Sequence, residues 1–184
     1  MQQTGTTVET TKMCTNLYCQ TRCHNDEYID YISTTVNEGR KRQDLQEILN
    51  SHFSENKFSK CSACRGKVME TLIIKKAPQI LLLEVPKGKV GGVKIDTKIN
   101  CPDGKVVIKA NGEDILYRAK GVIIHNGNTA GNGHYIYNHY REEEDKWIVI
   151  NDHKVFDDRD HKKYNEGGTL FILVKEPKYP TQLS

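Results

Sequence analysis

Residues 121–152, GVIIHNGNTAGNGHYIYNHYREEEDKWIVIND, constrain the fold more than any other stretch of this chain. An apolar run, Val122-Ile-Ile124, ends on His125, and a loop of glycine and asparagine follows over residues 126–133. His134-Tyr-Ile-Tyr-Asn-His-Tyr140 then has a strand pattern, residues 141–146 make a charged turn, and Trp147-Ile-Val-Ile150 is a third strand that delivers Asn151 and Asp152. Aromatic and β-branched residues between such turns predict hairpin-linked strands. Pairing then brings His134, at the start of one strand, close to Asn151 and Asp152, at the end of its neighbour. An imidazole with an amide or carboxylate on its far nitrogen is the orienting half of a nucleophile–base–orienter triad. Spacing by itself is a weak signal, because the chain carries seven His and most His in proteins are surface or satisfied core residues.

The remainder reads as strands around one helix. Asp44 and the helically spaced Leu45, Ile48, Leu49 and Phe53 predict a core-packing helix over residues 44–53, with Asp44 as its cap. Strands are expected over 28–36, 68–75, 78–85, 93–99 and 106–110, the one at 78–85 fully buried and ended by Pro86. Arg40-Lys-Arg42 reads as a solvated turn. The glycine–lysine stretch 87–92 lacks the ordered G-x-x-x-x-G-K-[ST] pattern of a phosphate cradle and reads as a plain turn. Residues 1–12 are polar and patternless, which predicts disorder, and 177–184 read as a frayed tail. The expected class is α+β, a mostly antiparallel sheet with at least one helix.

With 184 residues the chain can bury a core. A net charge of +3 is too small to argue for nucleic acid as a partner. The longest apolar run, Ile80 to Leu83, is far short of a membrane span, and the start of the chain has no charged-then-apolar leader. The expectation is therefore cytoplasm or nucleus. In a reducing compartment six Cys point to metal binding or chemistry rather than disulfides. Cys61-x-x-Cys64 has the spacing of a metal knuckle, and both Cys14-x4-Cys19 and Cys19-x3-Cys23 fit as a second pair.

Taken in order, Leu116-Tyr-Arg-Ala-Lys-Gly-Val-Ile-Ile-His125-Asn-Gly127, Gly133-His-Tyr135, Trp147 and Asn151-Asp152 resemble the C-terminal signature of the ubiquitin-specific proteases. These are papain-like thiol hydrolases that cleave the bond after ubiquitin's C-terminal glycine. The resemblance implies that His134 is the general base, that Asn151 orients it and that Asp152 supports it. It places Gly133, Tyr135, His125 and Gly127 along the channel for ubiquitin's extended tail, where glycine backbone lets a peptide approach closely. It also implies a papain-like palm of antiparallel strands (about 76–176), a zinc-ribbon-like fingers segment (about 14–75), and hence a partial domain over 13–176. The family's fingers often hold structural zinc between two cysteine pairs. Counting back from Glu27-Tyr28 favours Cys19, which gives Cys19, Cys23, Cys61 and Cys64 as the expected ligands, with Cys14 an alternative to Cys23 and Cys101 a bystander.

The sequence departs from the family at two places. The core strand at 78–85 does not run into the usual Arg-Phe pair, and no Gly-Asn-Thr-Cys-type box opens a long helix. Thr11-Lys-Met-Cys14-Thr-Asn is the nearest imitation, but no amphipathic helix follows it. The chain thus has the base and its orienters without the nucleophile, and the family's thumb is missing. Three readings compete: a piece or split form of an active hydrolase whose thumb comes from elsewhere, a non-catalytic module that binds ubiquitin or ubiquitinated proteins, and an unrelated zinc-ribbon protein. The last would want a strongly basic, aromatic-rich face, which the composition does not offer.

Overall fold

The computed structural model describes residues 5–19, 21–54, 57–88, 92–157 and 167–177. In chain order the elements are β1 (Thr6–Cys14), β2 (Arg22–Ile29), β3 (Tyr31–Ser33), β4 (Arg42–Asp44), α1 (Leu45–Ser54), β5 (Lys57–Lys60), β6 (Lys67–Lys76) and β7 (Ile80–Glu84). After these come β8 (Lys98–Asn100), β9 (Lys105–Ala110), β10 (Glu113–Asn126), β11 (His134–Arg141), β12 (Lys146–Asn151), β13 (Lys154–Asp157) and β14 (Gly168–Lys175). Mostly antiparallel strands with one helix among the described residues match the expected α+β class.

The first strand corrects the expectation of a disordered tail over 1–12. Thr6–Cys14 alternates inward and outward, with Thr6, Val8 and Thr10 buried. β-branched threonine suits a pleated, half-buried surface despite its polarity. β1 pairs antiparallel with β2 on one edge and with β6 on the other. The strand expected over 28–36 is broken at Asp30 between β2 and β3, and β3 crosses to run parallel with β7. Of the strand expected over 93–99, only Lys98–Asn100 forms, pairing parallel with β4. Asp44 stands one residue ahead of α1, where its Oδ1 accepts from Asn100 Nδ2 at 2.7 Å. The part of the C-terminal tail beyond residue 177 lies outside the described residues.

β10 organises the sheet. Its N-terminal half pairs with β9, its C-terminal half with β11, and residues Tyr117 to Ile124 with β14. The strand order runs β13-β12-β11-β10-β9-β6-β1-β2, and β14 continues to β7 and β3. β6 and β9 meet through one parallel register pair, Ile74↔Ala110, and the Asn111 N–H adds a hydrogen bond to the Ile74 carbonyl (2.8 Å).

α1 contributes to the main core. Its Leu45, Ile48 and Leu49 share one buried cluster with Leu81 and Leu83 of β7, Val106 and Ile108 of β9, and Phe171 and Leu173 of β14. Each such side chain, taken wholly out of water, stabilises the fold by about 1.5–3 kcal/mol. Tyr117 is a fully buried member of the same cluster, and its side-chain hydroxyl donates to the Pro78 carbonyl at 2.6 Å, so that polar atom is satisfied. Gln46 ties the helix to the sheet: its amide oxygen accepts from Val107 N–H (2.7 Å) and its amide nitrogen donates to Val107 C=O (2.8 Å).

Candidate active site

The β10–β11–β12–β13 meander sets the geometry around His134. Pairing of β10 with β11 runs out at Asn126↔His134, so the imidazole stands at the mouth of the 126–133 loop. β11 pairs with β12 through Tyr137↔Ile150, and β12 turns into β13 through Asn151↔Lys154. The two-residue turn requires Asp152 to adopt a left-handed conformation (φ 51°), which aspartate tolerates better than most residues. Asn151 and Asp152 are thereby carried to the same end of the sheet as His134.

His134 Nε2 lies 2.6 Å from Asn151 Oδ1. An amide oxygen only accepts, so Nε2 carries the proton and the neutral ring presents Nδ1 as its basic nitrogen. Asp152 Oδ2 is 3.8 Å from the same Nε2, outside hydrogen-bond range. Among the described residues, Asn151 and Asp152 are the partners of His134, and the ring is about half exposed.

The other expected groups gather beside it. His125 is buried, with its ring centroid 4.8 Å from that of Tyr135, which is exposed. Gly133 and Gly127 lie against the His125 ring and against each other's backbone. His125, Tyr135 and Ala130 line a groove of about 630 Å³ together with Glu84, Val85 and Pro86.

Lys94, in the stretch expected to be a strand, was not legible as a site residue. Its ammonium donates to the carbonyls of His125 (3.1 Å) and Gly127 (2.6 Å). Lys87 is buried and donates to the Thr97 carbonyl, and burial, with help from the nearby Lys94 charge, lowers its pKa to about 8.

No cysteine stands at His134. Cys101 is buried in the main core, Cys23 lies exposed on the edge strand β2, and the other four meet elsewhere. The sulfurs of Cys14, Cys19, Cys61 and Cys64 all lie within 4.8 Å of one another. This corrects the expected set: Cys14 takes the place of Cys23. Cys14 ends β1 opposite Val68, facing the turn that carries Cys61 and Cys64, whereas Cys23 sits within β2 opposite Lys12. Contacts of 3.5 Å (Cys14–Cys64) and 3.7 Å (Cys19–Cys61) approach the edge of a tetrahedron with sulfur about 2.3 Å from its centre, roughly 3.8 Å. Backbone N–H groups of Cys64 and Ala63 lower the Cys61 thiol to about 6, and the Thr21 hydroxyl lowers Cys19. Asn16's backbone favours the Cys14 thiolate too, but burial and the neighbouring sulfurs outweigh it and push Cys14 up to about 12. Four sulfurs so close, two of them favoured as thiolates, can hold a metal ion.

A family model described as ubiquitin carboxyl-terminal hydrolase matches residues 8–173. Among curated relatives, ubiquitin carboxyl-terminal hydrolase 17-like protein D of Mus musculus is 28% identical over 123 residues, 63% of this chain and 22% of the relative. The 17-like protein E of Mus musculus is 28% identical over 149 residues (76% and 27%). Ubiquitin carboxyl-terminal hydrolase 44-B of Xenopus laevis is 26% identical over 126 residues (60% and 18%). Among solved structures, the fold matches a chain of the yeast SAGA DUBm at TM-score 0.78 and 22% identity, covering 95% of this chain and 41% of that one. A chain of the SAGA Ubp8/Sgf11/Sus1/Sgf73 DUB module bound to ubiquitin aldehyde matches at TM-score 0.71 and 22% identity. The chain thus spans 22% of the length of the first of these relatives and 41% of the first of these solved chains. With the match running from β1 into β14, this chain belongs to the ubiquitin carboxyl-terminal hydrolase family.

Proposed function

We propose that this chain is the fingers and palm of a thiol-dependent deubiquitinating hydrolase and supplies its general base. The observation that carries the reading is the 2.6 Å hydrogen bond from His134 Nε2 to Asn151, which leaves Nδ1 free to take a proton. The thiol comes from a thumb segment outside this chain. Nδ1 takes the thiol proton as sulfur attacks the glycine carbonyl carbon, and the imidazolium returns that proton to the leaving lysine amine as the C–N bond breaks. Water then loses a proton to Nδ1 and attacks the thioester, releasing the thiol and a free carboxylate. Asn151 holds the ring in one tautomer throughout, and Asp152 stands beside it. The groove beside Tyr135 and Gly133 receives the substrate's extended tail.

The metal that suits the four thiols is zinc, held by Cys14, Cys19, Cys61 and Cys64. When bound it would crosslink the β1–β2 and β5–β6 turns, far from proton transfer. Helices long and apolar enough to cross a membrane are absent among the described residues.

A second reading, a ubiquitin-binding module without catalysis, is favoured by the lack of any cysteine at His134. Co-expression with the nucleophile-bearing segment of a family member separates the two. The hydrolase reading expects cleavage of a ubiquitin–fluorophore conjugate that vanishes in His134→Ala. Cleavage equal in both chains overturns it. Shifts in labelled ubiquitin on titration without any cleavage support the module.

A further inference from the structure

We infer that Lys94 is a positioning residue for the His134 site, fastening the 126–133 loop so that the groove keeps the shape of an extended substrate tail. The inference rests on the proposed function for the identity of that ligand, but the latch itself is a matter of geometry. The pairing of β10 with β14 ends at Ile124↔Gly168. Beyond that point the Lys94 ammonium donates to the carbonyls of His125 and Gly127. These residues flank Asn126, the register partner of His134. One compact cation therefore holds the chain on both sides of the residue that faces the base.

Four further contacts make this a two-loop clasp. Ala130 N–H donates to the Gly92 carbonyl (3.1 Å), so the far side of the glycine-rich loop is tied to the same segment. Gly88 approaches Ala130 so closely that a β-carbon there would sit 2.9 Å from the alanine methyl. Ile95 N–H donates to the Lys87 carbonyl (2.7 Å), and Lys87 in turn reaches the Thr97 carbonyl, which fixes the base from which Lys94 extends. An ammonium has three donors and no planar fork, so it can meet two converging carbonyls where a guanidinium would have to splay them. Lys94 touches no reacting atom. It acts through His125 and Gly127, which bound the same glycine-rich turn as Gly133, the residue before His134.

The test uses the whole chain and its Lys94→Met and Lys94→Arg variants. Amide hydrogen exchange at Ala130 should accelerate about tenfold in the Met variant, the loss of a charge-assisted pair of bonds, and partly recover in the Arg variant. In titrations of labelled ubiquitin, the Met variant should weaken the response of the ubiquitin tail by a similar factor and leave the response of its globular face intact. A residue that merely stabilises the fold would lower both together. Unchanged Ala130 exchange in Lys94→Met overturns the inference. Should the wild-type chain leave ubiquitin's spectrum unmoved, the substrate reading fails and the exchange data still decide the latch. If the Met variant does not fold, Lys94→Gln replaces it. Its exchange should lie above that of the wild type, and equality again overturns the inference.

Discussion

A β-carbon on Gly133 would stand 2.3 Å from Nε2 of His125 and 2.6 Å from the Asn126 carbonyl oxygen. His125 is buried and Asn126 is held in the β10–β11 ladder, so neither can step aside. Glycine is therefore a packing requirement here, imposed one residue before His134. Gly133→Ala is expected to lower stability by about 1–3 kcal/mol, the usual cost of overpacking, and to displace His134 from Asn151. Urea denaturation measures the first, and the imidazole nitrogen shifts report the second. A variant with wild-type values for both would show that the loop yields freely.

On the proposed function, removing His134 should matter more than removing Asn151. In an assembly with a nucleophile-bearing thumb, His134→Ala is expected to reduce kcat/KM by roughly three to six orders of magnitude. Asn151→Ala should cost less, on the order of 10²–10⁴, because the ring remains but loses its fixed tautomer. Asp152, mostly exposed and 3.8 Å away, should cost least. Hydrolysis of a ubiquitin–fluorophore conjugate ranks the three, and a different order would reassign the orienting role.

Metal analysis distinguishes the cysteines. The purified chain is expected to carry one equivalent of zinc, lost in Cys14→Ser and kept in Cys23→Ser. Since structural zinc binding is folding free energy, chelation should destabilise the wild type and leave Cys14→Ser unaffected. Equal zinc content in the two variants would contradict the geometry of the cluster.

The pH dependence of stability should reveal Lys87. Its folded pKa is lowered to about 8 from an ordinary 10.5. Between these values the unfolded lysine holds a proton that the folded one has released, so this group makes stability rise with pH across that window. Below pH 8 both forms are protonated and the slope from this group vanishes. Denaturation of wild type and Lys87→Met from pH 7 to 10.5 should give a steeper rise for the wild type. Coinciding slopes would place the Lys87 ammonium in water.

Much of the candidate site was legible because register follows from alternation. His134, Asn151 and Asp152 fall at strand ends that turn signals locate well, and pairing leaves them one arrangement. The cysteine set was less legible, since Cys14 and Cys23 both have acceptable spacing to Cys19 and only the β1–β6 ladder tells them apart. β1 itself was hidden by its threonines: a polar composition masked the alternation of Thr6, Val8 and Thr10 toward the core. Lys94 carries no sequence signal at all. Its role arises from carbonyls more than thirty residues away, which β14 leaves uncovered beyond Gly168.

The continuity of β6 has a mechanical consequence. This ten-residue strand, Lys67–Lys76, has Val68 near its start, packed with the clustered cysteines, and Ile74 further along, buried in the main core. It is a beam clamped at both ends by different means, by thiols at one and by aliphatic side chains at the other. Loss of the first clamp should fray the beam progressively from Val68, with amide protection falling along the strand and surviving at Ile74. The end of the sheet that carries His134 would then keep its shape while the cysteine end melts, which residue-resolved exchange with chelator present would record as a gradient rather than a single collapse.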